Sequence, residues 1–132
     1  MGENIHKVWG ERRRLLLTDK TEIDLLYLQE KTFCSTHYHK NKANLFTVIK
    51  GEVLIETELG EVLLKANESW TVFPELKHRF CAVEDSIMLE VAFTQNVLID
   101  PNDIVRIKQG GKLINHVEYT EDELRKAGQL NL

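Results

Sequence analysis

The chain has 132 residues, 42% of them hydrophobic and 29% charged, with a formal charge of −4 at pH 7 and a pI near 5.7. That length fits one domain and not two, and the balance excludes a disordered chain. The acidic charge argues against nucleic acid as the main partner, since a phosphate backbone selects a clustered basic face. No apolar run approaches the ~20 residues that a membrane-crossing helix needs, so no membrane partner is expected.

Short apolar runs alternate with turn residues almost from end to end. "RRRLLLT" opens the series; its basic patch, Arg12–Arg14, is closely followed by acids and reads as the solvated start of a strand. "IDLLYLQ", "LFTVIK", "EVLIETEL", "EVLLK", "WTVF", "HRFCAV" and "IMLEVAF" follow, each four to eight residues long and bounded by Gly, Asn, Asp, Glu or Pro. This is the pattern of an all-β sandwich or barrel rather than of βαβ units. Gly51 in "KGEV" and Gly60 in "LGEV" predict two consecutive tight hairpin turns. Residues 94–117 read as a looser arm with one strand, "DIVRI", and a turn at Gly110–Gly111. "YTEDELRKAGQ" predicts one short helix near 120–127, with Thr120 as N-cap, Glu123 completing a capping box and Gly128 as the stop.

Nothing resembles a signal peptide, and Cys34 and Cys81 form neither a CxxC pair nor a disulfide framework, so a reducing, cytoplasmic setting is expected. Cys34 lies three residues before His37; it either faces the same cavity rim or is a small buried hydrophobe. His6 and His116 lack any partner pattern and read as surface residues.

"CSTHYH" carries the chemistry. Side chains at i and i+2 of a strand share a face, so His37 and His39 point together and Tyr38 points away. Two imidazoles projected from one rigid strand can hold a divalent ion, and such a site needs a third ligand from elsewhere. His78, opening "HRFCAV" just after Pro74, supplies it if strands 34–39 and 78–83 are neighbours. Glu90 shares a face of its strand with Met88 and Ala92, opposite Ile87, Leu89, Val91 and Phe93; it is expected to face solvent.

These elements resemble the cupin family over roughly residues 30–93. His37, Tyr38 and His39 fill the His-x-His of its first motif, Gly51 the closing glycine, and His78 the histidine of its second, within "VFPELKHRF". Asn44 stands where the family has a glutamate; as a neutral amide it is expected to contribute weakly or not at all. The resemblance implies a cupin double-stranded β-helix, a jelly-roll barrel with a short C-terminal helix, as one domain over 1–132. Its barrel core would lie at about 12–107, and the C-terminal arm and helix at 108–132. It further implies one divalent ion, zinc, nickel, manganese or iron, held by His37, His39 and His78.

Four stretches are similar to the mannose-6-phosphate isomerase domain of bifunctional type II enzymes: Trp9–Gly10, Asn67–Glu68–Ser69, Lys77–His78–Arg79, and Asp103–Ile104–Val105–Arg106. That likeness implies metal-dependent aldose–ketose isomerisation of a small substrate, a phosphorylated sugar. Lys77 would be the base or a phosphate anchor, Arg106 an anchor, and Tyr38 a stacking partner for the sugar. Phe46, Trp70 and Phe80 either join that stack or fill the barrel. Two other readings stand beside it: a three-histidine oxygenase, which neutral imidazoles around ferrous iron would suit, and a non-catalytic sugar-binding barrel. A homodimer is expected, because a small barrel with an added N-terminal strand and a C-terminal arm has edges that a partner would cover.

Overall fold

The structure is a computed structural model and describes residues 4–129. Its strands, in chain order, begin with β1 (Asn4–Lys7), β2 (Gly10–Leu17), β3 (Thr21–Leu28), β4 (Thr32–Phe33) and β5 (Thr36–Tyr38). Then come β6 (Ala43–Lys50), β7 (Glu52–Thr57), β8 (Gly60–Lys65), β9 (Ser69–Val72) and β10 (His78–Ala82). The chain closes with β11 (Ser86–Phe93), β12 (Val105–Lys108), β13 (Gly111–Ile114), β14 (Val117–Thr120) and the helix α1 (Glu121–Lys126). One sheet runs β1-β2-β3-β11-β6-β9. In the other, β10 is central, with β7 and then β8 on one side and the short strands β5 and β4 in succession on the other. The two sheets enclose one core in the double-stranded β-helix, or cupin, arrangement.

The core shows why the alternation in the sequence becomes this barrel. Leu26 and Leu28 of β3, Phe46 and Val48 of β6 and Met88 of β11 meet Val53 and Ile55 of β7 and Phe80 of β10. Each buries the side chain that its strand's period of two turns inward. Trp9 packs edge-on against Phe80, with ring centroids 5.2 Å apart. Thus the Trp9–Gly10 pair serves the core.

The two glycine turns are unlike. Thr57 pairs with Gly60, so "LGEV" closes the β7–β8 hairpin as expected. At Gly51 the chain instead leaves one sheet for the other: β6 pairs with β11 and β9, β7 with β10 and β8. Gly51 has φ +93°, and a Cβ there would come within 2.2 Å of Ser86 Oγ, so this corner admits glycine by conformation and by space. Apolar runs flanking a glycine fit a corner as well as a hairpin.

The C-terminal arm is better ordered than its sequence suggests. β12 pairs with β5, and β13 pairs with both β4 and β14, so residues 105–120 extend the second sheet. The turn lies at Asn115–His116, whose positive φ values of 52° and 67° suit a tight hairpin, and not at Gly110–Gly111. Gly111 is glycine because a Cβ would sit 1.8 Å from the Tyr119 carbonyl oxygen. The capping box of Thr120 and Glu123 forms as the sequence predicts. Asn67–Glu68–Ser69 builds a turn: Asn67 has φ 72°, and Glu68 Oε1 accepts from the Lys65 N–H.

Candidate metal centre and its cavity

His37 on β5 is register-paired with His78, the first residue of β10, and His39 follows just past the end of β5. The Pro74 turn and the His-x-His strand therefore meet as the spacing required. All three histidines are buried, and one ligand atom from each lies within 4.8 Å of the others. Ring centroids are 4.7 to 5.4 Å apart.

Hydrogen bonds on the far side of each ring choose the atom that faces inward. His39 Nδ1–H donates to the Asp103 carbonyl at 2.6 Å, and His78 Nδ1–H to the Leu76 carbonyl at 2.8 Å. His37 Nδ1 meets Ser35 Oγ at 2.8 Å. A carbonyl only accepts, so the neutral rings of His39 and His78 carry their proton on Nδ1 and present a bare Nε2. Both Nε2 atoms are buried with no partner. Burial, reinforced by the neighbouring rings, pushes His37 down to about 2 and His78 to about 4, and burial also lowers His39. The rings stay neutral at physiological pH, which is the form that ligates. Orphaned Nε2 atoms converging from oriented rings fit a divalent ion: His37, His39 and His78 can hold it through nitrogen.

Asp103, which the sequence offered only as part of a family match, is the brace of this site. Its carbonyl holds His39, while its carboxylate accepts from the Lys40 and Asn41 N–H groups. Asn44 is buried, and its Nδ2 donates to Glu90 Oε2 at 2.6 Å, leaving Oδ1 buried and unpartnered.

Beside the histidines opens a cavity of about 420 Å³. His37, His39, Asn44 and Glu90 line it, with Glu22 and Asp24 deeper on β3. The expectation that Glu90 faces solvent is corrected here: it turns into the barrel on the side of buried Met88 and Ala92, and opens onto the cavity. Burial, and next the charge of Asp24 paired beside it across β3 and β11, raise its carboxyl to about 7.

The other interior charges are matched. Arg14 donates through Nε to Asp24 at 2.6 Å and through Nη2 to Glu22 at 3.0 Å, while Lys42 Nζ meets Glu22 at 2.8 Å. So the patch read as a solvated strand start divides by parity: Arg12 and Arg14 turn inward, and Arg13 is exposed. Nothing in "TEIDLLYL" marks the inward acids, because Ile23 and Leu25 make the outer face as apolar as the inner one.

At the mouth stand Lys7, Arg12 and Arg106, on β1, β2 and β12. Unlike Arg14 and Lys42, none has a salt-bridge partner among the described residues, and Arg12 Nε is buried without an acceptor. Burial lowers the pKa of Lys7, and the charges of Arg12 and Arg106 lower it further. Arg106 thus reaches the cavity. Lys77 and Tyr38 do not: they border a separate surface depression with Lys40 and Glu75. Arg79 is a clamp, binding Glu56 and Glu118 and lying over Phe33. Cys34 is fully buried at the cavity wall, and burial pushes its thiol up to about 12, so it behaves as a hydrophobe.

No protein-family profile and no curated protein matches this sequence. Solved structures do resemble its fold. A Klebsiella pneumoniae protein with a double-stranded β-helix domain aligns at TM-score 0.63 and 20% identity, over 82% of this chain and 87% of that one. The Streptomyces nucleoside dehydratase Pac13 aligns at 0.69 and 10% identity, over 81% and 85%. KdgF from Halomonas sp. aligns at 0.60 and 16% identity, over 65% and 81%. The likeness is one of fold, and no described helix is long and apolar enough to cross a membrane.

Proposed function

We propose that this protein is a metal-dependent enzyme that moves protons on a small, hydroxylated, anionic substrate, as an isomerase or epimerase acting on a phosphorylated sugar does. One observation carries the reading: a cavity lined by His37 and His39, two of three converging metal-competent imidazoles, and by the inward-facing Glu90 carboxyl, raised to about 7. The bound ion, held by His37, His39 and His78, would supply a Lewis acid that lowers the cost of negative charge on a substrate oxygen.

This chain's own residues do the rest. Near neutral pH Glu90 is present as both carboxylate and carboxylic acid, so it can take a proton at one position and return it at another. Asn44 Nδ2–H holds its Oε2 in place. Asp24, pinned by Arg14, keeps the pair from ionising together. Lys7, Arg12 and Arg106 offer charge-assisted hydrogen bonds to the substrate's anionic group. Glu90 takes the role that the sequence gave to Lys77.

The test combines elemental analysis of the purified protein with a screen of phosphorylated aldoses in deuterated water. Bound metal, and deuterium entering the carbon next to the carbonyl, are expected. His78→Ala should lose the metal, whereas Glu90→Gln should keep it and lose turnover by about 10²–10⁴-fold. Full metal occupancy in His78→Ala would overturn the centre. Bound iron with oxygen uptake would favour an oxygenase instead.

A further inference from the structure

The outer face of the six-stranded sheet is as apolar as its inner face. Register places its outward side chains in rows across β6, β11, β3 and β2. The middle row reads Thr47, Leu89, Leu25, Arg13, and the row beside it Leu45, Val91, Ile23, Leu16. The third reads Lys50, Ile87, Tyr27, Glu11. A sheet that is apolar on both faces is one covered on both, yet among the described residues no element packs on the second.

We infer that a second copy of this chain packs face to face on this sheet, about a two-fold axis running along the strands between β11 and β3. That operation turns each row end for end. It sets Leu89 over the partner's Leu25, Val91 over the partner's Ile23 and Leu45 over the partner's Leu16. In the third row it sets Lys50 opposite the partner's Glu11, twice. The match of opposite charges at both ends is what commits the face to another copy of this chain. Glu11 already bonds Asn4 Nδ2 at 2.6 Å and His6 Nδ1 at 3.3 Å, which holds its carboxylate at the rim.

The size suffices. Four strands about 4.8 Å apart and eight residues long make roughly 500 Å² per copy as a flat rectangle, or about 1,000 Å² for the pair, the threshold of a specific interface. The face, rather than the strand edges, is then what makes a dimer. This inference does not depend on the catalytic reading.

Sedimentation equilibrium of the metal-loaded protein tests it. The wild type should run at twice the 15.3 kDa chain at tens of micromolar. Leu89→Arg should raise the dissociation constant by at least about a hundredfold, with far-UV circular dichroism and metal content unchanged. Lys50→Glu should raise it about tenfold, and adding Glu11→Lys should return it to within about threefold. If Leu89→Arg fails to fold, the charge-reversal pair decides. A monomeric wild type overturns the inference, as does a dimer indifferent to both changes.

Discussion

The barrel interior has two ends, and the same strands build both. Along β3 the inward side chains run Glu22, Asp24, then Leu26, Leu28; along β6 they run Asn44, then Phe46, Val48; along β11, read backwards, Ala92, Glu90, then Met88. One end is a dry core. The other holds three carboxylates, a lysine, an amide and, against them, the histidines. The dry end is held by area removed from water, a non-directional gain that tolerates changes of shape. The wet end is held by matched hydrogen bonds and charges, and each unmatched group there costs free energy unless a ligand meets it. The unmatched groups are His39 Nε2, His78 Nε2, Asn44 Oδ1 and Arg12 Nε. In the proposed function they are the groups that ion and substrate would meet.

Changes at the two ends should therefore fail in different ways. Arg14→Met leaves Asp24 buried beside Glu90 with its charge unopposed, and should cost about 3–5 kcal/mol in urea unfolding. If it costs nothing, the wet end is not held by charge matching. Leu26→Ala, at the dry end, should cost about 2–5 kcal/mol and leave metal stoichiometry untouched; loss of metal would show that the two ends are coupled.

Acid should separate the ends as well. The histidine pKa values are depressed in the fold, so below their ordinary 6.5 the unfolded chain takes up protons that the folded one refuses. Stability of the metal-free protein should thus fall as pH drops from about 6.5 toward 4, by about 1.4 kcal/mol per pH unit for each of His37 and His78. Folded, metal-loaded protein should keep its ion at pH 6, below the ~6.5 at which an ordinary histidine would release it. Release at 6.5 would mean that the rings are open to water.

Glu90 has the opposite sign. Its pKa is raised from 4.5 to about 7, so the folded state holds a proton that the unfolded state has lost across that window. Its contribution to stability declines as pH rises from 4.5 to 7, and Glu90→Gln should flatten that part of the stability profile. If the Glu90 carboxylate is the working base, kcat/KM of the wild type should climb through about pH 7. The smallest effect is at Asn44. Asn44→Ala should leave the ion in place, while Asn44→Glu should tighten it by roughly tenfold, by adding negative charge beside three neutral ligands. Competition titration with a chelator would measure both.

The period-two alternation determined an all-β sandwich or barrel, and the i, i+2 spacing determined that His37 and His39 share a face. The capping box was legible at Thr120 and Glu123 because its bonds span only three residues. Other features were decided only when the chain closed on itself. Whether Gly51 was hairpin or corner depended on which strands β6 and β7 found as partners, and the β13–β14 hairpin depended on β4 offering an edge. The facing of Glu90 stayed ambiguous because strand β11 is apolar on both sides: one face packs the core and the other, by our reading, a second copy. Asp103 braces His39 across 64 residues of chain, a distance over which no local pattern carries information. Identity and spacing are local, and a sequence displays them. Which polar group ends up without a partner is a property of the closed barrel, and here those orphaned atoms delimit the candidate site.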